Sequence, residues 1–132
     1  MLTSFFQQYS QDVKDTLGLF PDIDDKLFIA KNIKQTDLQV GPLYSYGAIY
    51  YNISTPDGWA PTNLTLEMKQ MLLDPIYIIS SEERGCENFE NSILNIQANN
   101  VIAYHGDCQF IEECNFIEIK RNANACLFKV GH

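Results

Sequence analysis

Leu2, Phe5, Phe6, Tyr9, Val13, Leu17 and Phe20 recur mostly at steps of three and four along the opening segment. That spacing returns side chains to one face of an α-helix and makes a stripe too apolar to stand alone in water. Ser4 followed by Gln7 suits a capping box at the start, and Gly18 with Pro21 suits a stop. The stripe is read as core, and the rest of the chain must supply the surface that covers it.

The following segments divide into helical and strand-like pieces. Asp22, Asp24 and Asp25 ahead of Leu27 and Phe28 suggest a short second helix, because acids favour a helix N-terminus. Residues 43–53, LYSYGAIYYNI, are rich in aromatic and β-branched side chains and are expected to form a strand, or a hairpin bent at Gly47. Thr55, Pro56, Asp57 and Gly58 mark a loop through Trp59. Asn63 is placed to cap a helix running to Leu73, with Leu64, Met68, Met71 and Leu72 inward and Asp74-Pro75 as its end. Ile76, Tyr77, Ile78 and Ile79 then read as a short buried strand.

Two hairpins are expected further on. Ile93, Leu94 and Ile96 would pair with residues 101–104 through a turn at Asn99 and Asn100. Residues 116–119 would pair with residues 126–130 through a turn at 121–124. The local echo of CQFIE at 108–112 in CNFIE at 114–118 is too short to build a repeat fold. The fold class that results is α+β: an N-terminal amphipathic helix and short helices packed on a mainly antiparallel sheet, as one domain spanning 1–132.

The four cysteines, Cys86, Cys108, Cys114 and Cys126, are expected to be buried or spare thiols of a reduced compartment. The opening residues lack the basic start of a secretory signal, and no run reaches membrane-spanning length. A cytoplasmic location is therefore expected, and the sequons at Asn52 and Asn63 are discounted.

Searching for chemistry returns little. His105, Asp107, Cys108, Cys114 and Cys126 are metal-ligating types, but they lack the two close pairs of a zinc site. A Cys108 nucleophile with His105 as base would sit among acids that disfavour a thiolate. Carboxylates at Asp22, Asp24, Asp25 and at Glu82, Glu83 read as solvated surface. Phosphate-cradling glycine loops and serine elbows are missing from the sequence. No catalytic residue, metal or cofactor is expected.

Charge is more informative. The chain carries a net −8, and residues 82–118 hold eight acids against Arg84 alone. Phosphate backbones and anionic membranes repel such a chain, because nucleic-acid affinity comes from lysine and arginine. A basic protein is the favoured partner. The candidate binding residues are Glu82, Glu83, Glu87, Glu90, Asp107, Glu112 and Glu113, interleaved with Phe89, Tyr104 and Phe110. A small acidic α+β chain without a catalytic set, bearing this stretch, resembles the immunity proteins that bacteria use to neutralise toxins of contact-dependent or secreted competition. The resemblance is one of general character and rests on no diagnostic motif. It implies a cognate toxin, possibly a nuclease, whose basic groove is blocked by acidic groups. Two other readings stand beside it: a small-molecule binder or small enzyme with a pocket of Tyr44, Tyr46, Tyr50, Trp59 and His105, and a subunit of a phage or mobile-element assembly.

Overall fold

The computed structural model describes residues 11–36, 38–54 and 66–130. Chain order is α1 (Gln11–Leu19), a 3-10 turn (Phe20–Asp22), β1 (Leu27–Ile29), α2 (Val40–Tyr51), α3 (Leu66–Ile79), α4 (Cys86–Asn95), β2 (Asn100–Tyr104), α5 (Gly106–Glu112), β3 (Phe116–Arg121) and β4 (Ala125–Val130). The strands form one mixed sheet in the order β1-β2-β4-β3. β1 runs parallel to β2, while β2–β4 and β3–β4 are antiparallel. The α+β class expected from the sequence is the one found.

Successive strand residues point to opposite faces of a sheet, and both faces are covered here. Leu27, Ile29, Ile102, Tyr104, Ala125 and Leu127 join a core with α1 and α2. The alternate residues Phe28, Val101, Ala103, Cys126 and Phe128 join a second core with α3, α4 and α5. β2 is therefore buried along its whole length, and β4 over its first four residues. β3 is the exposed edge, where Glu118, Lys120 and Arg121 guard against strand addition.

The amphipathic opening helix is present over its described part. Val13 and Phe20 are buried and Leu17 packs against the same core; Leu2, Phe5, Phe6 and Tyr9 lie outside the described residues. The buried Asp15 accepts from Gln11 and from the Asn124 amide, and its carbonyl accepts from Asn122. These bonds latch α1 onto the β3–β4 turn. Thr16 donates to the Asp12 carbonyl, which leaves its oxygen to accept from the buried Tyr104 hydroxyl at 2.6 Å. Burial drives the Tyr104 hydroxyl well above the usual phenol range, so it stays a neutral donor.

Four local expectations are corrected. Residues 40–51 are helical, with Leu43, Tyr44 and Gly47 inward and Asn52 closing the helix at φ 55°. β propensity mostly measures packing on a pleated surface, and here the partner surface favours a helix face. Gly47 is tight against Ile53 and Phe20, where a side chain would have little room. Pro75 does not end α3: Leu72, Pro75 and Ile79 face inward and the helix continues across the proline, so Ile76, Tyr77, Ile78 and Ile79 are no strand. Ile93 and Leu94 belong to α4, where Phe89 and Ile93, followed by Ile96, lie at helical spacing, and β2 finds β1 and β4 instead of a hairpin partner. After the 3-10 turn, the acids at 22–25 lead into β1 rather than a helix. The hairpin of residues 116–130 forms as expected, with a register shift between Glu118 and Lys120.

The cysteines are a further correction. Cys86 pairs with Cys114 and Cys108 with Cys126, leaving no free cysteine among the described residues. Cys108 staples α5 to β4 inside the core, while Cys86 and Cys114 are only half-buried. Each closed loop, of sequence separation 18 and 28, is worth about 3 kcal/mol by restriction of the unfolded chain. Reduction should therefore proceed in two steps. Alkylation with mass analysis should label Cys86 and Cys114 under mild reductant in the native protein, and Cys108 and Cys126 only on unfolding. Loss of both bridges should lower the melting temperature by roughly 10–20 °C. Four thiols reactive without reductant would show the pairing to be wrong.

Candidate binding surface

Glu82, Glu83 and Glu87 lie in or beside a segment that is bonded to α5, the helix that carries Glu112 and is followed by Glu113. The Arg84 guanidinium reaches the first turn of α5, pairing with Asp107 and lying 4.5 Å from the Phe110 ring centre. The same guanidinium donates to the Ile79 carbonyl at the end of α3. Two residues on, the Cys86–Cys114 bridge holds the start of α4 against the turn that follows α5, with Cα atoms 5.3 Å apart. Glu90 accepts from the Asn115 amide at 2.8 Å and repeats that tie. The segment 84–90 is thus bonded to both ends of α5.

The seven candidate acids divide by role. Asp107 is buried, with its carboxylate shared between Arg84 and Asn32, and Glu90 is half-buried on a backbone amide. These two hold the assembly together. Glu82, Glu83 and Glu87 are exposed and make no ion pair among the described residues. Glu113 is exposed beside the neutral Gln109, and Glu112 shares Arg121 with Glu118. Five of the seven acids therefore remain at the surface, with Glu112 sharing Arg121.

A polar cleft of about 530 Å³ opens at the N-terminal end of α5, lined among others by Asp12, Asn32, Lys34, Gln35, His105, Asp107 and Asn124. His105 sits between β2 and α5 at φ 53°, ψ −131°, a conformation that suits glycine and strains other residues. Its Nε2 lies 2.9 Å from Asp12 Oδ1, and Asp12 also accepts from Gln35. The ring is thereby oriented while half its side chain remains exposed. Asp12 and Gln35 were not legible as site residues, since polar residues on an outer helix face or in a loop are the rule. The one local signal was a bulky residue directly before Gly106 at a strand end.

The aromatic pocket considered from sequence is not assembled. Tyr44 is buried against β1, Tyr46 and Tyr50 stack on each other along α2 with ring centres 4.8 Å apart, and His105 lines the separate polar cleft. Trp59 lies outside the described residues. Cys108, Cys114 and Cys126 have their sulfurs in disulfides and cannot serve as metal ligands or nucleophiles in this state. Among the described residues no three His, Cys, Asp or Glu side chains converge as metal ligands, and no helix is long and apolar enough to cross a membrane. No protein family matches the sequence, and comparison with characterised proteins and with solved structures finds no match.

Two substitutions check these assignments. Asp107→Asn leaves Arg84 without its counter-charge, and a loss of about 2 kcal/mol in denaturant unfolding is expected, against almost nothing for Glu83→Gln. At the elbow, strain of about 1–3 kcal/mol opposes an exposed pair worth at most about 1 kcal/mol. His105→Gly should accordingly unfold later than His105→Ala, by about 1 kcal/mol after the extra chain entropy of glycine. Equal midpoints for the two variants would mean that the elbow stores no strain.

Proposed function

We propose that this chain is a binding protein that docks a cationic protein against the acids around α5, in the manner of an immunity protein covering the basic surface of a toxin. What supports the reading is the double attachment of segment 84–90 to α5, which ties Glu87 and the chain next to Glu82 and Glu83 to the helix that carries Glu112. Complementary charge steers association and can raise on-rates by about 10–1,000-fold. The chain's net −8 acts in the same direction at longer range. Neither catalysis nor a cofactor enters this reading.

The two disulfides favour work in an oxidising compartment, where such bridges persist. They weigh against the cytoplasmic location expected from sequence and favour a toxin or other basic protein met outside the cytosol over a cytosolic nuclease.

The test is made with the product of the reading frame adjacent to this chain's gene. Association is measured across ionic strength for the wild type, for a variant with Glu82, Glu83, Glu112 and Glu113 changed to lysine, and for Asp22→Lys as a single-charge control. Tenfold or greater slowing at low salt, with a flattened salt dependence, is expected for the fourfold variant alone. Identical rates for wild type and the fourfold variant would remove the electrostatic reading. A neighbour that does not bind, or whose toxicity is unaffected by co-expression, would remove the immunity reading.

A further inference from the structure

The sheet ends at β1, and its outer edge needs cover because unpaired strand groups are costly when buried. In β1 the Leu27 amide bonds the Ser54 carbonyl, and the Ile29 amide bonds the Tyr44 hydroxyl at 2.8 Å. The edge is therefore satisfied without a further strand. Burial pushes the Tyr44 hydroxyl well above the ordinary phenol range and keeps it neutral.

Beside this edge, α2 from one sheet face and α3 from the other fail to close. The gap is a cavity of about 340 Å³, walled chiefly by Phe28, Val40, Tyr44, Leu72, Ile76 and Tyr77. It opens to solvent between exposed Ile33, Leu73 and Tyr77 and has room for roughly ten waters. Its walls offer water few partners, since the Tyr44 hydroxyl already accepts the Ile29 amide. Lys31 is the only charged residue among the described lining residues. It is half-buried and makes no ion pair among the described residues. Ile33, Leu73 and Tyr77 surround it as exposed apolar side chains. The segment from Lys31 to Thr36 separates this cavity from the polar cleft: Ile33 is pinned to Ser80, while Asn32 reaches Asp107 on the other side. The two spaces are chemically distinct.

We propose that this cavity binds a small anionic amphiphile, with a medium-length alkyl chain against Phe28, Leu72 and Ile76 and its carboxylate or equivalent anion on the Lys31 ammonium. The apolar walls select the tail through buried area, and Lys31 selects the sign of the head in a chain that otherwise repels anions. Pockets of this size that bury most of a ligand with one placed polar group are the common form of small-molecule site. The site is independent of the acidic surface around α5.

The experiment titrates the full chain calorimetrically with hexanoate, octanoate and decanoate, with octanol, and with octyltrimethylammonium. Saturable one-to-one binding of the carboxylates is expected. Affinity should rise about fourfold per buried methylene until the cavity is full. Octanoate should bind about tenfold more tightly than octanol and far more tightly than the cation. Lys31→Gln should erase the preference for carboxylate over alcohol and leave octanol unchanged, whereas Ile76→Trp should fill the cavity and abolish both. The head-group series needs no variant and stands even if Ile76→Trp fails to fold. Absence of saturable binding, or chain binding without a head-group preference, would overturn the proposal; the latter would mean that the lysine stem merely lies along an apolar wall. Sedimentation with phosphatidylglycerol vesicles without binding of soluble octanoate would also overturn it, placing the apolar rim against a bilayer.

Discussion

Burial of β2 on both faces is the constraint on which the rest of the molecule depends. All five of its residues are buried, and the side chains from Val101 to Tyr104 alternate between two separate cores. A strand in that position cannot slip by one residue without exchanging Ile102 and Tyr104 for Val101 and Ala103 between cores built for different volumes. Its register with β1 and β4 is therefore fixed by packing rather than by a turn. The polar anchors follow from it. Tyr104 must bring its hydroxyl to Thr16, and the chain must leave the strand at His105 just where α1 presents Asp12.

α5 is the short element attached to this frame at the most points. It has seven residues, too few for a stable isolated helix, and its place is set by external bonds. Cys108 fastens it to β4, Asp107 to Arg84 and Asn32, and the turn after it to Cys86 and Glu90. Ile111 adds a fully buried side chain to the second core. A rigid short helix with exposed acids along its flanks differs physically from an acidic loop. Its backbone holds the Cα positions of those acids in place, which a loop would not.

The sequence revealed elements whose neighbours are local. The α1 stripe and the β3–β4 hairpin are specified within a few residues of themselves, and both could be read from spacing and turn residues. What escaped were elements whose identity depends on distant partners. Residues 40–51 carry β-branched and aromatic side chains, yet Pro42 in the first turn and Asn52 at the end mark a helix, and packing on Phe20 and Ile53 decides the matter. Pro75 stays helical because its neighbours at helical spacing are buried. The disulfides were hidden for a related reason. Cys86 and Cys114 lie 28 residues apart, and only the placement of α4 beside α5 shows that they can meet. The acidic stretch was visible as charge, but its division into holding acids, Asp107 and Glu90, and presented ones was not.

A common thread links the acidic surface and the edge cavity. The segment between β1 and α2 must connect a buried strand to a helix while passing the ends of both α3 and α5. It does so by contributing polar residues to one side, Asn32 and Gln35, and apolar or aliphatic ones to the other, Lys31 and Ile33. Asn32 bonds the same carboxylate that holds Arg84, while the next amide, at Ile33, is held by Ser80. Lys31 and Ile33 line the cavity, and Asn32 between them bonds Asp107 at the foot of α5. The cavity and the polar cleft beside α5 are thus separate in chemistry but share one backbone segment.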